Sequence, residues 1–125
     1  MTVTEKVQEV LAADAPLTAV VPANYIRAPG RYQEMPRPYI VHRWIAPFRT
    51  TRTHDGLKKL RAWNYQISIF ADSFPVGDAV AGLVKDALDG THGEAQCFYK
   101  RQRYWQEPET LIHVFIVEFD VHEGL

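Results

Sequence analysis

Residues 63–90, WNYQISIFADSFPVGDAVAGLVKDALDG, contain the pattern that decides the fold. In the first eight of these residues, bulky apolar side chains alternate with Asn64, Gln66 and Ser68. This period of two is typical of a β-strand with one face buried and the other in water. The sequence therefore predicts a half-buried strand over residues 63–70.

A helix is predicted directly after this strand. Pro75 lies in the first helical turn, where its missing N–H costs nothing because first-turn N–H groups have no partner within the helix. Apolar residues then recur at helical spacing as far as Gly90, a residue type that commonly ends helices. We predict an amphipathic helix over residues 74–89. The whole stretch is scaffold without reactive groups, which favours assembly over catalysis.

The composition is that of one globular domain covering residues 1–125. A chain of this size buries roughly two thirds of its unfolded surface, so it folds without disulfides or metal ions. Its single cysteine, Cys97, excludes an internal disulfide and fits a reducing compartment. We expect no membrane span and no secretory signal peptide, because the sequence has neither pattern.

The remaining patterns predict a short N-terminal helix and three more strands, at residues 3–13, 39–45, 94–106 and 111–121. Residues 47–59 are polar and basic, and we expect them to protrude as a hairpin or loop. Residues 90–93 are predicted to form a turn. The order of the elements predicts an α+β fold: a four-stranded, mainly antiparallel sheet with two or three helices packed on it and a long protruding loop between the first two strands.

Two of these strands are apolar on both faces. The strand at residues 39–45 is therefore expected to be central, or covered on both sides. In the last strand the even-numbered residues Val114 and Ile116 need a cover of their own, and the N-terminal helix is favoured over a neighbouring subunit. Strict alternation places Tyr99 and Trp105 on the same face of the third strand.

The net charge of −1 conceals an uneven distribution. Residues 27–61 contain nine Lys or Arg and two acidic residues, whereas the residues after Arg103 contain five acidic residues and no Lys or Arg. A basic surface suits nucleic acid or an acidic partner. Alternatively, the basic side of one copy meets the acidic side of the next in a head-to-tail ring, or the basic segment is only a solvated loop.

Several segments, in this order, resemble a known family. A short helix leads to Asn24-Tyr25-Ile26, and a proline-rich stretch enters Pro38-Tyr39-Ile40-Val41. A polar loop with Asp55-Gly56 precedes the alternating strand, and Ala71-Asp72-Ser73 opens the next helix. Over about residues 5–121 the chain resembles the small tail-completion (head–tail joining) proteins of long-tailed bacteriophages and prophages, which are related in fold to tail terminators. The segment from Tyr99 to Trp105 has no counterpart in this resemblance.

The resemblance implies a structural virion protein rather than an enzyme. It is expected to be made in the cytoplasm of the host bacterium and to form a ring, commonly of six copies, at the head-proximal end of the tail. The implied partners are other copies of the chain, the tail tube protein and the head connector or stopper protein. DNA passing through the ring is expected to make only weak, non-specific contacts.

The sequence contains no convincing catalytic, metal or cofactor site. The nearest pair of histidines, His113 and His122, lacks the close spacing typical of zinc ligands. Cys97 lacks the surroundings of a nucleophile, and we expect a buried, inert thiol. His54 and Asp55 resemble half of an acid–base pair, but a turn at Asp55-Gly56 explains them well enough.

Two segments supply candidate contacts with other copies, with partner proteins or with DNA in the lumen. The first is the basic loop with Arg49, Arg52, His54, Lys58, Lys59 and Arg61, and the second is the aromatic strand with Tyr99, Arg101 and Trp105. Their basic residues also suit phosphate contacts and base stacking. The alternative function is therefore a small nucleic-acid-binding module that uses the basic loop, residues 49–61.

Overall fold

The computed structural model describes residues 2–29, 35–47, 61–93 and 95–123. Its helices are α1 (Val3–Ala13), α2 (Ala15–Thr18) and α3 (Phe74–Leu88), with a short 3-10 helix at Ala23–Tyr25. Its strands are β1 (Ile26–Arg27), β2 (Tyr39–Pro47), β3 (Arg61–Ala71), β4 (Gly90–His92), β5 (Ala95–Gln106) and β6 (His113–Glu123). No described helix is long and apolar enough to cross a membrane.

The strands form one six-stranded sheet in the order β1-β2-β3-β6-β5-β4. Strands β1 and β2 are parallel, and the other neighbours are antiparallel. The predicted α+β class and the mainly antiparallel sheet are confirmed. The predicted number of four strands is wrong, because the short strands β1 and β4 flank the four long ones. The long connection predicted over residues 47–59 lies, after Pro47, outside the described residues.

Strand β4 replaces what was predicted to be only a turn at residues 90–93. Gly90, Thr91 and His92 pair with Cys97, Gln96 and Ala95 in an antiparallel ladder. Gly93 has a φ of 62°, a left-handed conformation that glycine adopts without steric cost and that allows the chain to reverse tightly. A strand of three residues is too short for alternation to be visible in the sequence.

The helix termini agree with local sequence. The Thr2 side chain accepts a hydrogen bond from the N–H of Glu5 at 3.1 Å and caps α1, so the predicted helix at residues 3–13 is confirmed. In α3 the Ser73 hydroxyl accepts from the N–H of Val76 at 3.4 Å. This helix ends at Leu88, one residue before the predicted end.

The described helices pack on one face of the sheet, which we call the helix face. Their buried residues, such as Leu11 and Val84, belong to one core cluster with the odd-numbered residues of β3 and β6. This sheet layer comprises Tyr65, Ile67, Ile69, Phe115, Val117, Phe119 and Val121. Removal of these side chains from water is the main source of the fold's stability.

The opposite face, which we call the open face, is not covered by any described helix. The even-numbered Val114 and Ile116 are nevertheless only 1% and 4% exposed there. The prediction that the N-terminal helix covers them is wrong, because the buried residues of α1 pack with the odd-numbered residues instead. On the two neighbouring strands, the residues in register with Val114 are Phe70 and Trp105.

Strand β2 is buried in its first half and exposed in its second. Tyr39 and Ile40 are 6% and 0% exposed, whereas Trp44 and Ile45 are 47% and 48% exposed. The expectation of a central or fully covered strand is therefore wrong for the second half. The physical reason is sheet order, since among the described residues only the two of β1 pair with β2 on its outer side.

Gly77 of α3 marks a close contact between this helix and the sheet. A Cβ at this position would lie 2.3 Å from Cε1 of Phe115. The rings of Phe74 and Tyr104 pack against Phe115 at centroid distances of 5.3 and 4.8 Å, so the ring has little room to move. We expect Gly77→Ala to lower the free energy of unfolding, measured by urea denaturation, by about 1–3 kcal/mol.

Gly82→Ala is the matched control in the same helix. A Cβ there would meet no atom within 4 Å, and the residue is exposed. The free energy of unfolding should rise by up to about 1 kcal/mol, because alanine is the better helix former. Equal stabilities of the two variants would contradict the close packing of α3 on Phe115.

Candidate assembly surface

The predicted aromatic strand is β5, and a β-bulge divides it. Its register with β6 shifts between Tyr99 and Arg101, so that Lys100 is an extra residue. Tyr99 pairs with Phe119 on the helix face, whereas Trp105 pairs with Val114 on the open face. The prediction that Tyr99 and Trp105 share a face is wrong, because one inserted residue reverses the alternation for the rest of the strand.

Tyr99 lies at the margin of the core. Its ring is 6.0 Å from that of Phe119 in an edge-on arrangement. The Lys85 ammonium of α3 lies 4.3 Å from the centre of the same ring, a cation–π contact that covers its other side. Tyr99 is therefore half-buried and joins α3 to the sheet, and the structure separates it from the other two predicted β5 contacts.

Arg101 and Arg103 hold a buried carboxylate on the open face. The side chain of Glu118 is 7% exposed, and Nε of Arg101 donates to its Oε2. Nη2 of Arg103 donates to the other carboxylate oxygen, Oε1, at 3.2 Å. Because an unpaired buried carboxylate is costly, both guanidinium groups are bound to Glu118 although they remain about half exposed.

This ion pair belongs to a row of polar side chains that crosses the open face. Register aligns Arg43 of β2 with Gln66 of β3, Gln66 with Glu118 of β6, and Glu118 with Arg101 of β5. The two middle residues are buried and the two arginines at the ends are exposed. The open face thus carries positive charge on its outer strands and a carboxylate between them.

A cleft of about 160 Å³ lies beside this row. The Lys100 ammonium is 3.4 Å from Oδ1 of Asn64 and 3.7 Å from Oδ1 of Asp120, so it bridges across the open face. Burial raises the pKa of Tyr65 to about 12, so its hydroxyl stays protonated. The lining of the cleft comprises Ile45, Asn64, Tyr65, Lys100, Arg101, Glu118 and Phe119.

Exposed aromatic residues lie on both outer long strands. On β5, Tyr104 and Trp105 are 41% and 40% exposed, and on β2 Trp44 is 47% exposed. Trp105 was among the contacts predicted from the sequence, whereas Trp44 was missed because residues 39–45 were expected to be covered. The available signal was the position of this tryptophan just before a long polar segment.

Of the first predicted set of contacts, only Arg61 lies within the described residues. Arg49, Arg52, His54, Lys58 and Lys59 lie outside the described residues. Arg61 is the first residue of β3, where its backbone pairs in register with Glu123 of β6. The basic loop as a contact surface therefore stays a prediction.

A chain of hydrogen bonds joins α1 to the sheet through His42, which is 0% exposed. Nε2 of Gln8 donates to the carbonyl of Ile26 at 2.8 Å, which leaves its Oε1 to accept from Nε2–H of His42 at 2.6 Å. Nδ1 of His42 then accepts from the Tyr65 hydroxyl at 2.6 Å, and the Thr4 side chain bonds to the same hydroxyl. Both ring nitrogens of His42 are thus satisfied within the fold.

The remaining reactive groups have structural explanations. Cys97 is 2% exposed, and burial, together with the nearby Asp89 carboxylate, raises the pKa of its thiol to about 11. The predicted inert thiol is thus confirmed. His113 accepts or donates a 2.7 Å hydrogen bond with the Tyr104 hydroxyl. Within the described part of the chain, His, Cys, Asp and Glu side chains do not gather in groups of three that could hold a metal ion.

Two comparisons with known proteins give matches. The family model for tail completion protein gp17 matches residues 5–122. A chain in a solved structure described as "Virion of native gene transfer agent (GTA) particle" is 17% identical and superposes with a TM-score of 0.79, over 98% of this chain and 95% of that chain. At this identity the superposition shows a shared fold. Among curated proteins, none matches the chain significantly.

The free energy of unfolding should fall as the pH is lowered from 6.5 to 4. Burial lowers the pKa of His42 from 6.5 to about 4, so within this window the unfolded chain binds a proton that the folded protein excludes. A difference of this size corresponds to about 3 kcal/mol of stability that is present above pH 6.5 and lost by pH 4. Urea denaturation across this pH range measures it.

His42→Gln provides the control, because an amide offers a donor and an acceptor but does not titrate. Its stability at pH 7 is expected to be lower, since the side chain has a different shape. Its dependence on pH should be shallower than that of the original protein by the contribution of His42. Parallel pH profiles for the two proteins would show that His42 does not carry the effect.

Proposed function

Because the chain belongs to the tail completion protein gp17 family, we propose that it forms a ring that completes the head-proximal end of a phage tail and joins it to the head. Membership of this family makes it a structural protein of phage-type particles. In this proposal it acts by association with copies of itself and with other virion proteins, and no covalent bond is made or broken.

The observation that carries the proposal is the open face of the sheet. The described helices cover the helix face, whereas the open face has apolar residues at its centre, exposed arginine side chains on both outer long strands and the exposed Trp105 on β5. Aromatic and arginine residues are enriched where proteins meet. A thin sheet with one such face is suited to assembly with other subunits rather than to enclosing a substrate.

The proposed ring contains six copies joined head to tail. One rim contacts the tail tube protein, and the other contacts the head connector or stopper protein. The subunits are made in the host cytoplasm and end at the head–tail interface of the virion. DNA passes through the centre with weak contacts, since Arg101 and Arg103 are already bound to Glu118.

Reconstitution of particles tests this proposal. Purified protein added to tails made without their own copy should restore joining to heads, and negative-stain images should show a ring at the tail end. Six copies of 14.3 kDa correspond to an assembled mass of about 86 kDa, which light scattering measures. The proposal would be overturned if the protein failed to restore joining and formed no ring, either in solution or at the end of tails.

A DNA-binding measurement separates this proposal from a nucleic-acid-binding module. The ring component should bind a labelled duplex more weakly than about 100 μM at physiological salt, at the weak end of non-specific binding. A binding module would bind tightly at 50 mM salt and lose most of its affinity by 200 mM. Replacement of Lys58 and Lys59 by alanine should change neither the joining of particles nor the salt dependence of DNA binding. A reduced salt dependence of DNA binding in this variant would favour the nucleic-acid-binding module.

A further inference from the structure

The sheet has an open edge on each of its outer long strands. Strand β4 pairs with only three residues of β5, Ala95–Cys97, and β1 pairs with only Ile40 and Val41 of β2. Within the described ranges, residues 101–106 of β5, which follow the bulge, and residues 42–47 of β2 have no strand on their outer side. Apart from Pro47, which has no N–H, the residues of such edges present backbone N–H and C=O groups that can pair with another strand.

The open edge of β5 lacks the usual protection of an edge strand. Soluble monomers commonly blunt such edges with proline, with free charges or with very short strands. Residues 101–106 contain no proline, and their two charged side chains, Arg101 and Arg103, are bound to Glu118. Tyr104 and Trp105 add exposed apolar area to the same edge.

We propose that the open edge of β5 pairs antiparallel with the open edge of β2 in the next copy of the chain. The sheets of successive subunits then become continuous. This inference rests on the proposed function and deepens it, because it names the contact through which the ring closes.

The direction of the strands supports this pairing. Strands β2, β3, β6 and β5 alternate in direction, so the two open edges run in opposite directions. A rotation about an axis roughly along the strands therefore places β2 of one copy antiparallel to β5 of its neighbour. A copy that has paired through one edge still has its other edge free, so the same contact repeats from copy to copy until a ring closes. Two-fold pairing of β5 with β5 would stop at a dimer.

The short strands restrict the register of the contact. Strand β1 occupies the edge of β2 before His42, and β5 ends at Gln106. The two open edges therefore fit when His42 of one copy faces Gln106 of the next. Two exposed aromatic residues, Trp44 and Tyr104, then face each other, a favourable cross-strand pair.

The same register places Arg43 opposite Trp105 on the open face, which is a cation–π geometry. Trp44 and Tyr104 both lie on the helix face, since they pair with Tyr65 and Phe115 within their own copies. The helices of successive copies therefore fall on the same side of the continuous sheet, as a ring requires.

The geometry of this register is compatible with closure. Within one copy, Trp105 pairs with Val114, Val114 pairs with Phe70, and Phe70 pairs with Tyr39. Trp105 and Tyr39 therefore lie at the same height along the strands. A neighbour whose Arg43 faces Trp105 is thus displaced by four residues, or ~13 Å along the strands. The four long strands of one copy span about 19 Å across the sheet. The ratio of the displacement along the strands to the width across the sheet corresponds to a strand tilt of about 35°, which is within the range of closed barrels.

Disulfide cross-linking tests the register in the full chain. The double variant R43C/W105C, oxidised after assembly alone or on tails, should give a ladder of covalent multimers on a non-reducing gel. A mixture of the two single variants should give heterodimers and nothing larger. Cys97 does not interfere, because it is buried and its thiol pKa is raised to about 11. W44C/Y104C tests the same register independently.

The matched control is R43C/Q96C. Gln96 is exposed on β5, but β4 occupies the outer edge beside it, so this pair should give no ladder. Dimers from W105C alone would indicate two-fold pairing and overturn the inference. A ring without either cross-link would also overturn it and leave the proposed function intact, whereas the absence of any assembly or particle joining would overturn both.

Discussion

The central position of β6 is the constraint on which the rest of the structure depends. This strand pairs with β3 and with β5 through eleven residue pairs on each side. From Val114 to Val117 it is apolar on both faces, so both faces of the sheet must exclude water there. The helices accomplish this on one face, and flanking side chains accomplish it on the other. The helices and strands of the described ranges thereby leave one face of the sheet and parts of its two edges uncovered.

The hydrogen-bond chain through His42 gives the helix layer its orientation. Apolar contacts between α1 and the sheet are not directional, whereas the bonds from Gln8 to His42 and to the carbonyl of Ile26 fix the position of one side chain against two strands. Every polar side-chain atom in this series of hydrogen bonds has a partner, so the burial of these groups costs little. Because Ile26 belongs to β1, the same bonds position the short strand that limits the open edge of β2.

Two bulges occur in the outer long strands and shape their exposed residues. The register of β2 shifts between Trp44 and Ala46, and that of β5 shifts between Tyr99 and Arg101. Bulges bend a strand and redirect its side chains, and they are common near functional surfaces. Here each bulge lies next to an open edge that carries an exposed aromatic residue. The chain belongs to the tail completion protein gp17 family. Contacts made by the edges and faces of the sheet, rather than binding in a pocket, are consistent with that membership.

The sequence by itself determined the long elements and the inert groups. The strand at residues 63–70, the helix that follows it and the N-terminal helix were predictable because repeated burial leaves a periodic pattern in the residues. The burial of Cys97 was likewise expected from its surroundings in the sequence. Of the candidate contacts on β5, Trp105 is exposed and Tyr99 is half-buried, and the expectation that both lie on one face is wrong because of the bulge between them.

Only the tertiary structure decided the sheet order, the short strands, the bulge at Lys100 and the partner of His42. Strands of two or three residues are shorter than any detectable period, and a bulge depends on the partner strand rather than on a local residue pattern. Gln8 lies 34 residues from His42 in the chain, so their contact exists only once α1 has packed on β2. Open edges likewise depend on which strands become neighbours, and this is settled by long-range pairing around β6.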